Sequence, residues 1–469
     1  MRSALQSMAV ACLRWLRRRF ESVLFLTLLG MLAPGLVLRL AVSGWNQTEG
    51  RRLLARWGRY LVCGLEDLRR AYWPGIRFER MADIWFHVAV AEFFAVLNAT
   101  SRSTSEAPGG GGILVVKLAH FGDALHIFPM LRELRQQRPG ERVDLLVGPW
   151  SEGLARTFGM WEDLLLNVPR LGSFERGGKA RRRSFAAEVR WLLALRRRRY
   201  DLVISTSITT LAEVLLAQAI HARRWVGTEM PGGLYPPPGD GVRLVPYDSR
   251  RYESERVMSL LGLIGLPEGD SDLYYPLSST AAQAAEDLLQ GQGLPRQGRY
   301  AVLCPGAGWP GKQWLPERFA EIGDRIRTRT GCAVVLAGSG AEQPLCDAVA
   351  RRMKESVIRL DGKTTLDQLA AVLAKAAVFV GNDSGPMHLA ACFQVPTVVF
   401  FGPTVASKWA PRHAAARCLQ HEDCSGCISW HYRANCVHEN RCMKAISVEE
   451  AWAAVKQAMG LEFQGKDAE

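Results

Sequence analysis

The sequence predicts an α/β protein with two parallel-sheet halves facing a cleft, preceded by a basic and apolar N-terminal segment. Three observations carry that reading. Short aliphatic runs such as 113–117 (ILVVK) and 300–304 (YAVLC) alternate with stretches of helical spacing, the order that builds a parallel sheet. The turns that follow several of these runs are rich in Gly, Asp and Ser. A chain of 469 residues exceeds one average domain, so two large units plus an extra segment follow.

Composition narrows the partners. With 48% hydrophobic and 22% charged residues the chain is globular, and its formal charge is +13. Residues 1–106 hold fifteen Arg, no Lys and eight acids, so roughly half of the surplus lies in less than a quarter of the chain. Such a surface suits anionic lipid, nucleic acid or a phosphorylated substrate. No zinc-finger, RRM or helix-turn-helix signature supports nucleic acid.

The N-terminal segment reads as membrane-directed. Arg14, Arg17, Arg18 and Arg19 precede residues 22–38, seventeen positions without a charge, and the arginine cluster favours the cytoplasmic side. The run is at the short limit for a span, and Pro34-Gly35 interrupts it. A re-entrant or interfacial anchor is therefore expected, with a true span second and a signal peptide cleaved near Ala41-Val42-Ser43 third. Leu53, Leu54, Trp57, Tyr60, Leu61 and Leu65 lie opposite Arg52, Arg56 and Arg59 at helical spacing, as on an interfacial helix. Residues 84–97 are apolar nearly all round. Packing of these helices on the body is the other reading. The run 101–112 (SRSTSEAPGGGG) is a flexible linker.

Beyond the linker, strand 113–117, turn 118–123 (LAHFGD), a helix over 124–137 and strand 143–147 begin a Rossmann-type succession. Ligands collect at the carboxyl ends of such strands, which puts Asp123 in the crevice. The helix over 184–195 is flanked by arginines at 181–183 and 196–199; a solvated face and a contact with anionic lipid or acceptor both fit. Strand 202–205, helix 211–220 and loop 231–241 follow, and 271–298 with a helix over 280–290 is the crossover. The second half repeats the pattern: strand 300–304, turn 305–314 (PGAGWPGKQW), helix 316–329, strand 333–337, turn 338–342, and helices 343–354 and 366–376.

Residues 378–404 (VFVGNDSGPMHLAACFQVPTVVFFGPT) organise this half. Strand, small-residue turn and a helix opened by Pro386 leave unpaired N–H groups converging on one spot, a site for an anion such as phosphate. An ordinary βαβ unit with a Gly/Asp/Ser-rich turn has the same spacing.

Three blocks, ILVVKLAHFGDALHIFPMLRELR, CPGAGWPGKQWLPERFAEI and GNDSGPMHLAACFQVPTVVFFGPT, resemble the signature blocks of glycosyltransferase family 9, the ADP-heptose:lipopolysaccharide heptosyltransferase family. They span the body from 113 to 459 in order. The resemblance implies a GT-B fold, with 113–290 as the acceptor domain and 298–469 as the nucleotide-sugar donor domain; residues 1–105, read above as a helical membrane-anchoring segment, and the linker 106–112 lie outside it. It also implies inverting sugar transfer without an essential metal. Asp123 matches the carboxylate of the family's Gly-Asp motif and is the expected base, although a helix N-cap also fits its position. Lys312 matches the lysine that neutralises phosphate charge. Ser384, Gly385, Met387 and His388 match the helix start that holds the donor diphosphate, Asp383 the residue that contacts the transferred sugar, and Glu342 an acid for the ribose hydroxyls. His120, where small residues are more usual, and Gly122 fall on the acceptor side.

Eleven cysteines include Cys424, Cys427, Cys436 and Cys442, spaced C-x2-C-x8-C-x5-C. Four such thiols suggest structural zinc; paired or free thiols fit as well. No other cofactor is expected. The expected partners are a nucleotide diphosphate sugar, by default ADP-heptose, a lipid-linked or phosphorylated glycan, and the anionic cytoplasmic face of the inner membrane. A GT-B-fold sugar-nucleotide isomerase and a non-catalytic membrane-bound adaptor are the alternatives from other classes.

Overall fold

The computed structural model describes residues 94, 98, 111–118, 120–166, 184–208, 211–229, 241–421, 436 and 439–461. The apolar run 22–38, the interfacial helix expected over 53–65, most of the linker and the arginines at 181–183 lie outside them. Among the described residues no helix is long and apolar enough to cross a membrane. Phe94 is helical and fully buried in a cluster with Leu114, Val116 and Leu192. Asn98 donates from its amide to the Gln218 carbonyl at 3.1 Å. At these two positions the N-terminal segment packs on the body.

The first sheet is built from β1 (Ile113–Lys117), buried from end to end because its aliphatic residues suit a strand covered on both faces. There follow α1 (Phe121–Leu125), α2 (Phe128–Gln137), β2 (Val143–Val147), α3 (Glu152–Phe158), β3 (Asp163–Leu166), α4 (Phe185–Arg196), β4 (Leu202–Ile208), α5 (Leu211–Ile220), β5 (Arg224–Thr228), β6 (Val242–Val245) and α6 (Glu253–Met258). The strand order is β3-β2-β1-β4-β5-β6, with every pairing parallel. The single helix expected over 124–137 is two helices. Pro129, at the start of α2, has no N–H to give the Leu125 carbonyl, and the chain breaks at His126 and Ile127.

The crossover helix is α7 (Ser279–Gly291), capped by the Ser278 hydroxyl, which accepts from the Ala281 N–H. The second half then runs β7 (Tyr300–Cys304), α8 (Pro316–Thr330), β8 (Ala333–Leu336), α9 (Gln343–Ala350), β9 (Val357–Arg359), α10 (Leu366–Ala374), β10 (Val378–Asn382), α11 (Gly385–Ala391), β11 (Thr397–Phe401), α12 (Ala406–Trp409), β12 (Ala416–Gln420), α13 (Arg441–Ala445) and α14 (Val448–Ala458). Its order is β12-β11-β10-β7-β8-β9, again all parallel.

In the first sheet β1 lies between β2 and β4, and in the second β7 lies between β8 and β10. In both sheets the winding therefore reverses at the centre, and a crevice opens beyond the carboxyl ends of those strands. The two crevices face each other where α1 packs on α11. A second bridge joins α3 to α10, where the Thr157 hydroxyl donates to Asp367 at 3.0 Å. Loop 305–314 is pinned by Trp314, which is fully buried and donates from its indole to the Ile446 carbonyl at 3.0 Å. Truncating a tryptophan buried in this way costs about 3–5 kcal/mol.

Candidate active site

The seam between α1 and α11 gathers most of the residues singled out above. β1 ends at Lys117, and His120 is the extended residue that precedes α1. Asp123 is the third residue of α1 and caps nothing, because the N-cap position belongs to His120. The N-cap alternative for Asp123 is thus removed, and its carboxylate is left to the crevice. Burial raises the Asp123 carboxyl above its ordinary range; Lys117 pulls it back down, Glu253 pushes it further up, and His388 and Lys312 add smaller downward pulls.

Across the seam, the Lys312 ammonium lies 2.5 Å from Asp383 Oδ2, and the Thr404 hydroxyl donates to the same oxygen at 2.6 Å. Lys312 is therefore a fixed cation and not a solvated loop lysine; its side chain is only 12% exposed and stands 4.9 Å from the Trp309 ring centre. Burial alone would raise the Asp383 carboxyl. The charges of Lys312 and His388, with the bonds from Lys312 and Thr404, outweigh burial and hold it below the ordinary range. The turn is braced by Asn382, whose side chain accepts from the Trp314 N–H at 3.0 Å and donates to the Pro305 carbonyl at 2.7 Å. That brace fixes Lys312 relative to Asp383.

At the start of α11 the Ser384 hydroxyl donates to the Asn382 carbonyl at 3.2 Å, and Gly385 lies against the Phe121 ring and Gly122. The Met387 N–H already donates to the Ser384 carbonyl at 3.1 Å. The His388 ring turns inward, with Nδ1 3.1 Å from His126 Nε2, and the His126 ring reaches the Ser254 hydroxyl at 2.8 Å. Burial pushes both imidazoles down, His126 furthest.

Glu342 stands apart from this group, at the carboxyl ends of β7 and β8. Its Oε2 accepts from the Ser339 N–H at 2.7 Å and the Ser339 hydroxyl at 2.8 Å, closing a capping box. Its Oε1 occupies the space where a Cβ on Gly306 would stand. A glycine at 306 is thus what admits the carboxylate to the mouth of the turn. Asp270 pairs with Arg132 at 3.4 Å near the surface.

Cys424 and Cys427 lie outside the described residues. Cys436 is partly exposed, whereas Cys442 is buried with its sulfur turned toward Gly402 at the end of β11. Among the described residues no three His, Cys, Asp or Glu side chains group as metal ligands, so the expectation of structural zinc gains no support.

Sequence reasoning missed the cluster behind Asp123. The Glu253 carboxylate on α6 is 3.3 Å from Lys117, 2.6 Å from Arg256 and 3.5 Å from Lys408. Arg256 also donates to the Thr206 carbonyl and the Thr228 hydroxyl, while Lys408 on α12 donates to the Tyr247 hydroxyl at 3.0 Å. Lys408 belongs to the second half, so this buried cluster also joins the halves. Its one sequence signal is Lys117, a charge ending an otherwise aliphatic strand where ligands collect.

The chain is similar to known proteins in sequence and in fold. The chain is 25% identical over 311 residues to lipooligosaccharide heptosyltransferase 2 of Haemophilus influenzae, covering 62% of this chain and 83% of that protein. It is 26% identical over 319 residues to lipopolysaccharide heptosyltransferase 2 of Salmonella typhimurium, covering 66% and 87%. In fold it resembles a glycosyl transferase of family 9 from Veillonella parvula, with a TM-score of 0.62 at 22% identity over 76% of this chain and 99% of that one. It likewise resembles the ADP-heptose lipopolysaccharide heptosyltransferase II of Escherichia coli, with a TM-score of 0.56 at 19% identity over 74% and 98%. The sequence model described as glycosyltransferase family 9 (heptosyltransferase) matches residues 190–438, more than half of the sequence, and the chain belongs to that family.

Proposed function

We propose that this glycosyltransferase moves heptose from ADP-heptose to a lipopolysaccharide-type or other lipid-linked acceptor, with inversion and without a required metal, at the cytoplasmic face of the inner membrane. The observation that carries the reading is the seam itself: an acid on α1 faces a fixed lysine-carboxylate pair at the turn before α11. Asp123 takes the proton of the acceptor hydroxyl. The acceptor oxygen then forms a bond to the anomeric carbon as the bond from that carbon to the diphosphate oxygen breaks on the opposite face, and ADP leaves with the electron pair. Lys312 neutralises the charge that develops on the leaving diphosphate, which the N–H groups at the start of α11 also face.

Asp383 serves two purposes in this scheme. Both of its described contacts fall on Oδ2, so Oδ1 is the oxygen for a hydroxyl of the transferred sugar. Glu342 accepts from the ribose hydroxyls through Oε1. The similarity of the relatives named above supports ADP-heptose as donor, and the basic residues 1–106 support an acceptor held at an anionic membrane.

A thermal-shift series with ADP, UDP, GDP and ADP-heptose tests the donor. A ligand at a hundredfold its Kd stabilises the folded state by about 2.7 kcal/mol. Selective stabilisation by ADP and ADP-heptose is expected. A preference for UDP or GDP discards heptose, and the anomeric configuration of the product by NMR decides inversion.

A further inference from the structure

Two histidines from opposite halves share a buried hydrogen bond, and their surroundings fix its direction. His126 Nε2 lies 3.1 Å from His388 Nδ1, and His126 Nδ1 lies 2.8 Å from the Ser254 hydroxyl oxygen. All three residues are at most 3% exposed. The His126 ring is held between Tyr252 and Trp409, each 5.5 Å away centre to centre. Burial pushes both imidazoles toward the neutral form, in which each ring carries one N–H. Two directions are then open. If His126 donates to Ser254, the serine proton is left without an acceptor, because the bond to His126 is the one hydrogen bond described for that hydroxyl. If Ser254 donates to His126 Nδ1, His126 donates from Nε2 to His388 Nδ1, and the His388 proton stands on Nε2. Burying an unpaired hydroxyl proton is the costlier arrangement, so the second direction holds. His388 Nε2 itself has no hydrogen bond among the described residues. Its edge of the ring faces Gly122, the residue before Asp123: a Cβ there would stand 2.8 Å from His388 Cδ2 and 3.5 Å from Nε2.

We propose that Ser254 and His126 are positioning residues that fix the proton on His388 Nε2, from which the His388 side chain donates to an oxygen of the nucleotide diphosphate sugar. The inference rests on the seam as the sugar-nucleotide site. Lys312 brings that site a charge, whereas His388 brings a neutral N–H of fixed direction. Ser254 on α6 and His126 at the end of α1 belong to the first half, and His388 on α11 belongs to the second. Recognition of the sugar nucleotide by the second half is therefore completed by residues of the first.

The test is nitrogen NMR of the full chain with isotope-labelled histidine. The chain has nine histidines, and the two signals are identified by their loss in His126→Gln and His388→Gln. Without ligand, His388 is expected to carry its proton on Nε2 with Nδ1 bare; a proton on Nδ1 overturns the inference. ADP-heptose is expected to shift the Nε2 signal. A shift already produced by ADP places the oxygen on the diphosphate, a shift with ADP-heptose alone places it on the sugar, and no shift with either overturns the inference. In His126→Leu the proton is expected to be shared between both nitrogens of His388, whereas His126→Gln, whose amide still donates to Nδ1, keeps it on Nε2. A proton still confined to Nε2 in His126→Leu removes the positioning role. Calorimetric titration with ADP-heptose separates contact from packing. His388→Asn keeps a polar atom for His126 and none at the Nε2 place, and its Kd is expected to rise about tenfold, the worth of one hydrogen bond. His388→Gln, with an amide N–H at that place, is expected to recover part of the loss, and the reverse order of the two variants overturns the contact. The sugar-nucleotide reading is judged separately, by the thermal shift of the parent. A parent that ADP and ADP-heptose do not stabilise removes that reading; a stabilised parent with an unmoved Nε2 signal removes His388 alone.

Discussion

Gly122 and Gly385 meet across the seam with no room for a side chain between them: a Cβ on Gly122 would stand 3.3 Å from Gly385 Cα and 2.8 Å from His388 Cδ2. The His388 ring has little freedom to yield, since His126 bonds it at 3.1 Å and Trp409 lies 6.0 Å away centre to centre. The two halves are thus held at a separation that only glycine permits.

Gly122→Ala should therefore act on catalysis more than on folding. The added methyl moves α1 from α11 by a few tenths of an ångström and separates Asp123 from the Lys312 pair. A fall of about tenfold to a hundredfold in kcat/KM is expected, because small misplacements of reacting groups carry penalties of that size. Steady-state kinetics beside a thermal melt within a few degrees of the parent would check it.

Lys312→Ala should lower kcat by about a hundredfold to a thousandfold, the usual effect of removing a group that stabilises transition-state charge. Asp383→Asn should weaken donor binding as well, because the hydroxyl of the transferred sugar then loses its anionic acceptor. Initial rates with ADP-heptose and calorimetric titration with ADP separate the two effects; a Lys312→Ala enzyme with undiminished kcat would contradict the assigned role.

Two ion pairs between the halves should differ sharply in worth. Arg412 and Glu255 are both partly exposed to solvent, so Arg412→Ala is expected to cost about 1 kcal/mol or less. Glu253 is buried beneath three cations, and Glu253→Ala is expected to cost about 3–5 kcal/mol by leaving Lys117, Arg256 and Lys408 without their anion. Urea denaturation of the two variants measures the contrast.

The histidine pair sets an acid limit. His126 and His388 are held below 6.5 in the folded chain, first by burial. Below about pH 6.5 the unfolded chain binds protons that the folded chain refuses, so their contribution to stability is present above that pH and is lost as pH falls. The slope reaches about 1.4 kcal/mol per pH unit for each histidine. Denaturation midpoints at pH 7.5, 6.5 and 5.5 should fall, and a His126→Gln variant should fall less steeply. Asp123 has the opposite sign: its raised carboxyl penalises the fold once pH climbs past the ordinary Asp range, so Asp123→Asn should melt higher than the parent at pH 8 and lose that advantage toward pH 4.

How much of this was legible in the sequence depends on distance along the chain. Asp123, Lys312 and the 382–388 turn could be read because each sits within one strand-turn-helix unit, where spacing alone says which end of a strand it occupies. The cluster on Glu253 could not, since its bond to Lys117 spans 136 positions and that to Lys408 spans 155, and no local periodicity marks either. β3, β5, β6 and α6 escaped for a different reason: at four to six residues they are too short to show a period. The break at His126 was signalled by Pro129, three residues on, but a proline in the first turn of a new helix and one kinking an old helix look alike in sequence.

The two sheets contain no antiparallel pairing, and the central strand of each is the first of its half to be synthesised. β1 therefore waits about thirty residues for β2 and nearly ninety for β4, registers that begin at Val143 and Leu202. No hairpin can shelter it in the meantime, and parallel sheets of this kind order slowly. During translation the apolar β1 run lacks its second neighbour until β4 has emerged, and a chaperone that recognises nascent chains has a target there.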